Sequence, residues 1–312
     1  MPENTEYIEY YLKTEYTLGG QPITYLIPTK REPLPASVRC KFCGSRDLVR
    51  YGKYRGIQRY LCRDCGRKGA DNDALPRMRV PPHVIGAAMS MFYEGMSFDG
   101  ISRQLWQIYR IAPSKSTLYG WVAKYSKKAD KLASDIKPKT GKTWVVDESS
   151  LKIGGENHWF WDVIDSKTRF LLASHISTSR GTRDAEAVMG RAQRKTESPP
   201  EFVISDKLAA YIDGIERVFG ADTWHLQSQG FRGRVNTNLI ERFHGTLKSR
   251  TKVMRGMQNR ETAKTILGGY LIHYNFFRPH QALKGKTPSE AADMKFPYRD
   301  WTEIVRGGKK LW

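Results

Sequence analysis

At residue 143 the spacing of apolar residues changes, and this change limits the fold more than any other feature of the chain. From about 80 to 135 apolar residues recur at helical spacing. Val84, Ile85, Ala88, Met91 and Phe92 form one run, Ile101 and Leu105 the next, and Leu118, Trp121, Val122 and Tyr125 a third. Gly95 breaks the first run, Ser97 can cap the second, and Ile111-Ala112-Pro113-Ser114 reads as a turn and cap before the third. Beyond the lysine-rich linker at 137–142, β-rich runs appear at 143–149, 158–165 and 169–177, with breaks at Asn157 and Ser166-Lys167. A helix at 182–195, a strand at 201–205 and helices at 207–219, 237–250 and 261–277 follow. Three adjacent strands and then alternating helices and strands predict an α/β core with a mixed sheet and helices packed on it.

All four cysteines precede that change. Cys40-x2-Cys43 and Cys62-x2-Cys65 form two knuckles separated by 18 residues, the spacing of a structural site in which four thiolates hold one zinc ion. Gly44 and Gly66 follow the second cysteine of each knuckle and permit its tight turn. The stretch between the knuckles has β-hairpin character around Gly56, so residues 36–75 read as a basic, four-cysteine zinc ribbon. Two disulfides or free thiols are the alternative, and the absence of a secretion signal disfavours the disulfides. The helical segment 80–136 fits a helix-turn-helix whose last helix offers Lys115, Ser116 and Thr117 to DNA, for phosphate and base-edge contacts. Residues 1–35 form an arm without an assigned role, with a short strand at 24–28, and 293–312 form a C-terminal tail. The whole is thus multidomain.

The chain carries 52 Lys and Arg against 32 Asp and Glu, a net charge of +20, which calls for a polyanionic partner. No 18-residue apolar run is available to span a bilayer, so double-stranded DNA is favoured over a membrane and a cytoplasmic, nucleoid-associated protein is expected.

Displacement at a phosphodiester with two divalent ions needs carboxylates that converge from distant parts of a chain. Asp147 follows the apolar run Trp144-Val145-Val146, and Asp206 ends Phe202-Val203-Ile204, where open sheets put their functional residues. Glu241 lies on a helix whose apolar stripe is Ile240, Phe243 and Leu247, beside His244 and Lys248. Glu148 is a rival to Asp147, but strand alternation directs it to the opposite face. Asp162 and Asp165 lie in the second strand region, the latter at a hairpin turn. His244 is divided evenly between touching a phosphate and packing, and His280 reads as fixing a loop. Nine Lys or Arg lie between Arg232 and Lys264 against two acids, so a basic surface surrounds Glu241; Arg242, Lys248, Arg250 and Lys252 are its candidate DNA contacts.

The segment 143–292 resembles the catalytic core of DDE transposases and retroviral-type integrases, nearest to short bacterial and archaeal insertion-sequence transposases. The resemblance rests on WVVDESSLKIGGENHWFWDVIDSKTRFLLA, VISDKLAAY, NTNLIERFHGTLKSRTK and HYNFFRPHQALKGKTPSEAA, in that order, with 34 residues between Asp206 and Glu241. It implies a ribonuclease H-like fold and a catalytic triad of Asp147, Asp206 and Glu241 holding two Mg2+ (or Mn2+) ions. Lys248 matches the family's basic residue against DNA. It further implies cleavage at the terminal inverted repeats of an element, attack of the freed 3′-hydroxyl on target DNA, and a homodimer or larger assembly on DNA. A catalytically silent DNA-binding regulator and a structure-specific nuclease on the same fold are the rival readings.

Overall fold

The computed structural model describes residues 10–28, 34–35, 38–54, 56–71, 78–230, 233–254 and 257–307. Most of the arm's flanks, Arg55 of the ribbon and the end of the tail lie outside these residues. The chain forms two compact units, Met1–Arg77 and Met78–Trp312.

The first unit contains an antiparallel pair, β1 (Tyr10–Tyr16) with β2 (Pro22–Pro28), which extends the short strand expected at 24–28 into a full hairpin. It also contains an antiparallel sheet of β3 (Leu48–Tyr54), β4 (Ile57–Cys62) and β5 (Lys68–Ala70). The β3–β4 turn falls at Gly56, where φ is +79°, as the sequence predicts. Among the described residues of this unit only Cys40, Tyr60 and Cys62 are fully buried. Apolar burial is thus sparse among the described residues of this unit.

The second unit begins with three helices, α1 (Pro82–Tyr93), α2 (Phe98–Tyr109) and α3 (Lys115–Ala133). Ser97 caps α2 and Ser114 caps α3, each accepting a backbone N–H three residues on, at 3.1 and 3.2 Å. Arg110 ends α2 in the left-handed region at φ +57° and starts the short turn.

A five-stranded sheet follows in the order β10-β9-β6-β7-β8. Its members are β6 (Thr143–Ile153), β7 (Glu156–Asp165), β8 (Leu171–Ser177), β9 (Phe202–Ser205) and β10 (Trp224–Gln227). The first three in sequence pair antiparallel, whereas β9 runs parallel to β6 and β10 parallel to β9, giving the mixed sheet expected from the pattern. Helices α4 (Thr182–Lys195) and α5 (Ala209–Phe219) pack together on one face, where Phe219 meets Trp144 and Tyr211 meets Trp161 edge-on. Helix α6 (Asn238–Val253) lies on the other face, through Ile240, Phe243, His244 and Leu247, all buried. Helix α7 (Arg260–Ile272) and the short α8 (Pro288–Ala291) and α9 (Trp301–Arg306) complete the unit.

Three details depart from the sequence reading. The β6–β7 turn is at Gly154-Gly155, not Asn157: the ladder runs to Ile153↔Glu156, and both glycines have positive φ, +62° and +87°, as a two-residue hairpin of this kind requires. The helix expected over 261–277 stops at Ile272 and widens into a π-turn, His273–Phe277. That widening turns Asn275 toward the sheet, where its side chain accepts from Leu171 N at 2.9 Å and donates to Leu171 O at 3.0 Å. Strand β10 (WHLQ) is unanticipated, since four residues, although they alternate apolar and polar, are too few to mark a strand.

The change from helical to strand spacing is a change of secondary structure, not of packing, for α3 lies along α7 and α1 along α9 within one unit. The α3–α7 contact is close because Gly269 carries no side chain: a Cβ there would overlap the Tyr93 hydroxyl and Ser126. Gly269→Ala is therefore expected to lower unfolding stability by about 1–3 kcal/mol. Gly268→Ala, where a Cβ meets open space, should be neutral or stabilising. Chemical denaturation of the two variants checks this, and equal effects would show that the helices are not in close apposition.

Candidate active site and cysteine cluster

The parallel ladder between β6 and β9 ends at Val145↔Ile204. Strand β9 ends at Ser205 while β6 continues to Ile153, so Asp147 lies in β6 two residues beyond that ladder and Asp206 directly follows β9. Ligand oxygens of Asp147, Asp206 and Glu148 lie within 4.8 Å of one another. The side chains of Asp147 and Asp206 are 15% and 39% exposed, while that of Glu148 is 1% exposed, so the first two form the open edge of the group.

Alternation along β6 divides the neighbours. Glu148 faces α5, where its carboxylate accepts the Tyr211 hydroxyl and Arg180 Nε, the latter at 2.6 Å. Burial pushes the Glu148 carboxyl above the usual carboxylate range, against the lowering effect of the Tyr211 and Arg180 hydrogen bonds. Arg180 also reaches to 3.9 Å from Asp206 and lies over the Trp159 ring at 4.6 Å. Glu148 is thus already satisfied by a phenol and a guanidinium.

Asp147 faces α6. His244 Nδ1 is 3.5 Å from its carboxylate, and His244 Nε2 is 3.0 Å from Asp162, the residue paired with Asp147 across β6–β7. Asp162 is fully buried, and burial pushes its carboxyl up to about 6. Burial alone would lower His244, but its hydrogen bonds to Asp147 and Asp162 outweigh that and raise it to about 9. At neutral pH an imidazolium therefore sits between two acids and ties α6 to the sheet.

Glu241, which the sequence reading brings to the same point, is not within this group. It is exposed, and Thr237 Oγ1 donates to its carboxylate at 2.8 Å. It nevertheless lies three residues before His244, one turn along the face that meets Asp147. Behind Asp206, Ser205 Oγ donates to the Asp206 carbonyl at 2.8 Å and contacts His225 Nε2 at 2.7 Å, which fixes the end of β9. Asp165 is a turn residue: it accepts from Thr168 N at 2.7 Å and Gly141 N at 2.9 Å. His280 braces its loop, its ring against Tyr274 at 4.5 Å.

The candidate DNA contacts divide. Arg242, Lys248, Lys252, Ser116 and Thr117 are exposed, and Lys115 pairs with Asp99 at 2.9 Å. Arg250 is 2% exposed, with its guanidinium over the Phe92 ring. It falls three residues after Leu247 and so continues the apolar stripe of α6, which the charge count conceals. Sequence reasoning misses Arg180 and Tyr211, which carry no local signal, and gives Asp162 no role. Asp162 does leave a trace, as an acid in an apolar strand directly across from Asp147.

In the first unit the four sulfurs also lie within 4.8 Å of one another, with Cys40–Cys65 and Cys43–Cys62 each at 3.6 Å, and the cysteines are free of disulfides. Each knuckle closes by a backbone bond, Gly44 N to Cys40 O and Gly66 N to Cys62 O, both 2.9 Å, with positive φ at both glycines. Thiolates about 2.3 Å from a tetrahedral ion would be spaced in this way.

The coupling across α6 and the sheet is measurable. A double-mutant cycle on Asp162→Asn and His244→Gln should give an interaction of about 1.5–3 kcal/mol by denaturation. A value near zero would mean that the imidazolium does not hold α6.

Residues 141–280 match a family model described as a DDE domain. No curated protein matches the chain significantly. Among solved structures, the HTLV-2 integrase catalytic core in complex with magnesium is similar at 14% identity and a TM-score of 0.39, over 50% of this chain and 97% of that one. The BIV integrase core is similar at 13% identity and 0.37, over 48% and 93%. A simian T-cell lymphotropic virus intasome in complex with the PP2A regulatory subunit B56 gamma follows at 12% and 0.37, over 56% of each chain. The likeness to a DDE domain rests on the family match. Residues 141–280, a little under half of the chain, are thus similar to a DDE domain.

Proposed function

We propose that the protein is a DNA transposase that cleaves the ends of its element and joins the freed 3′-hydroxyls to target DNA. One observation carries this reading: within a DDE domain, Asp147 and Asp206 converge where the parallel β6–β9 ladder ends. Clustered carboxylate oxygens suit Mg2+ or Mn2+ rather than a softer ion. Divalent ions bound there would supply activation of the attacking oxygen and stabilisation of the leaving one. Asp147 and Asp206 would hold them, and Glu241 would join by leaving Thr237. His244 and Asp162 keep Asp147 in place, and Arg180 keeps Glu148 occupied. No side chain in this reading acts as a covalent nucleophile.

The front of the chain serves DNA binding. The cluster of four cysteines fits one structural zinc ion. The turn between α2 and α3 and the exposed first turn of α3, with Lys115, Ser116 and Thr117, suit a helix-turn-helix. Double-stranded DNA is the partner, with a homodimer or larger assembly bridging the element ends. Among the described residues no helix is long and apolar enough to cross a membrane, and a cytoplasmic site of action fits that.

A strand-transfer assay with the element's own ends in magnesium tests the proposal. Asp147→Asn, Asp206→Asn and Glu241→Gln should each lower cleavage and joining by several kcal/mol, at least about 10²-fold, with DNA binding retained. Full joining by any of the three variants would refute the assignment. Cleavage without joining by the wild type would favour a nuclease, and binding alone a regulator. Chelation should separately abolish the protection of residues 38–71 from proteolysis and leave 78–307 resistant; persistence of the first unit without metal would remove the zinc assignment.

A further inference from the structure

Arg180 stands between two of the three clustered carboxylates. Its Nε donates to Glu148 Oε1 at 2.6 Å, Nη2 meets the same oxygen, and Nη2 also lies 3.9 Å from Asp206 Oδ2. The two contacts are unequal. Glu148, with a side chain 1% exposed, is held by two nitrogens, whereas Asp206 and Arg180, each 39% exposed, form only a loose ion pair. The guanidinium also lies over the Trp159 ring, 4.6 Å from its centroid.

The segment that carries Arg180 is braced on both sides. Trp161 Nε1 donates to Ser177 Oγ at 2.8 Å, and Ser177 Oγ donates to the Ser179 carbonyl at 2.7 Å. Ser179 Oγ and Gly181 N donate to Asp184 Oδ2 in the first turn of α4, at 2.7 and 3.2 Å. Arg180 can therefore leave Asp206 by rotating its own side chain, with the backbone unmoved.

A guanidinium and a hard cation compete for the same oxygens. Asp206 Oδ1 already accepts from Leu208 N at 2.9 Å, so Oδ2, the atom facing Arg180, is the one freer to bind an ion. We propose that Arg180 is a resident counter-cation of the carboxylate cluster. It neutralises Asp206 in the absence of metal and withdraws onto Glu148 and Trp159 when a divalent ion binds. The inference rests on the reading of Asp147 and Asp206 as metal ligands. Two effects then act in one direction. Before binding, the guanidinium stabilises the metal-free acids. After binding, its charge repels an ion a few ångströms away. Arg180 thus positions the acids and holds metal affinity down. A residue that served the fold alone would do the reverse, since its loss would disorder the acids and weaken binding.

Mn2+ titration calorimetry on the full chain without DNA tests this, with Asp206→Asn as the blank. Arg180→Gln should bind Mn2+ about tenfold more tightly than the wild type. Its metal-free denaturation midpoint should fall, and Mn2+ should raise that midpoint by more than in the wild type. Arg180→Lys keeps the charge and should stay within about threefold of the wild-type affinity. Loss of Arg180 also frees Glu148, so the double variant Arg180→Gln/Glu148→Gln locates the gain. It leaves no buried acid without its cation, which guards against misfolding. A gain that persists in the double variant supports competition at Asp206. A gain that vanishes there would show recruitment of Glu148 and overturn the proposal. Equal or weaker binding by Arg180→Gln would overturn it too, with the metal reading left intact. If the wild type takes up no Mn2+ beyond the blank, both fail.

Discussion

The rest of the site depends on a buried imidazolium between two carboxylates. His244 contacts Asp147 and Asp162, which face each other across β6 and β7, and it is carried by the helix that also carries Glu241. Two acids so close on one sheet face would repel each other, and the more buried one, Asp162, could not stay ionised without a cation beside it. The imidazolium removes that conflict and sets the height of α6 over the sheet. Since Glu241 is one turn away on the same helix, its distance from Asp147 is set by the same contact.

The opposite face solves the same problem with different groups. Glu148 is turned toward α5 by alternation and is bound by Tyr211 and Arg180. The acids around the crevice are therefore not equivalent. Two reach solvent, Asp147 within β6 and Asp206 just past β9, and two, Glu148 and Asp162, are buried beside them. Open acids backed by compensated ones concentrate negative charge beside the central strand β6, an arrangement suited to hard cations.

Much of this is legible in the residues. The strand runs, the four helices after them and the ordering of Asp147, Asp206 and Glu241 follow from apolar spacing and from resemblance to a known core. The knuckle glycines predict turns that the structure contains. What stays hidden has physical reasons. Strand β10 has too few residues to show a period. The β6–β7 turn sits at Gly154-Gly155 because paired glycines supply the positive φ of a tight hairpin, and a polar break such as Asn157 marks such a turn only to within a few residues. Arg250 counts as surface charge by residue type, although its place three residues after Leu247 continues the buried stripe. The hydrogen bond that holds Glu241 at Thr237 depends on a side-chain rotamer, which sequence spacing does not determine.

The central claim is that Asp147 and Asp206 hold divalent ions and that Glu241 leaves Thr237 to complete their coordination. Anomalous diffraction from crystals grown with Mn2+ tests it most directly. Ion density between Asp147 and Asp206, with the Glu241 carboxylate turned away from Thr237 and onto the metal, is the expected result. Density held by Glu148 in place of Asp147, or ions bound while Glu241 still accepts from Thr237, would contradict it.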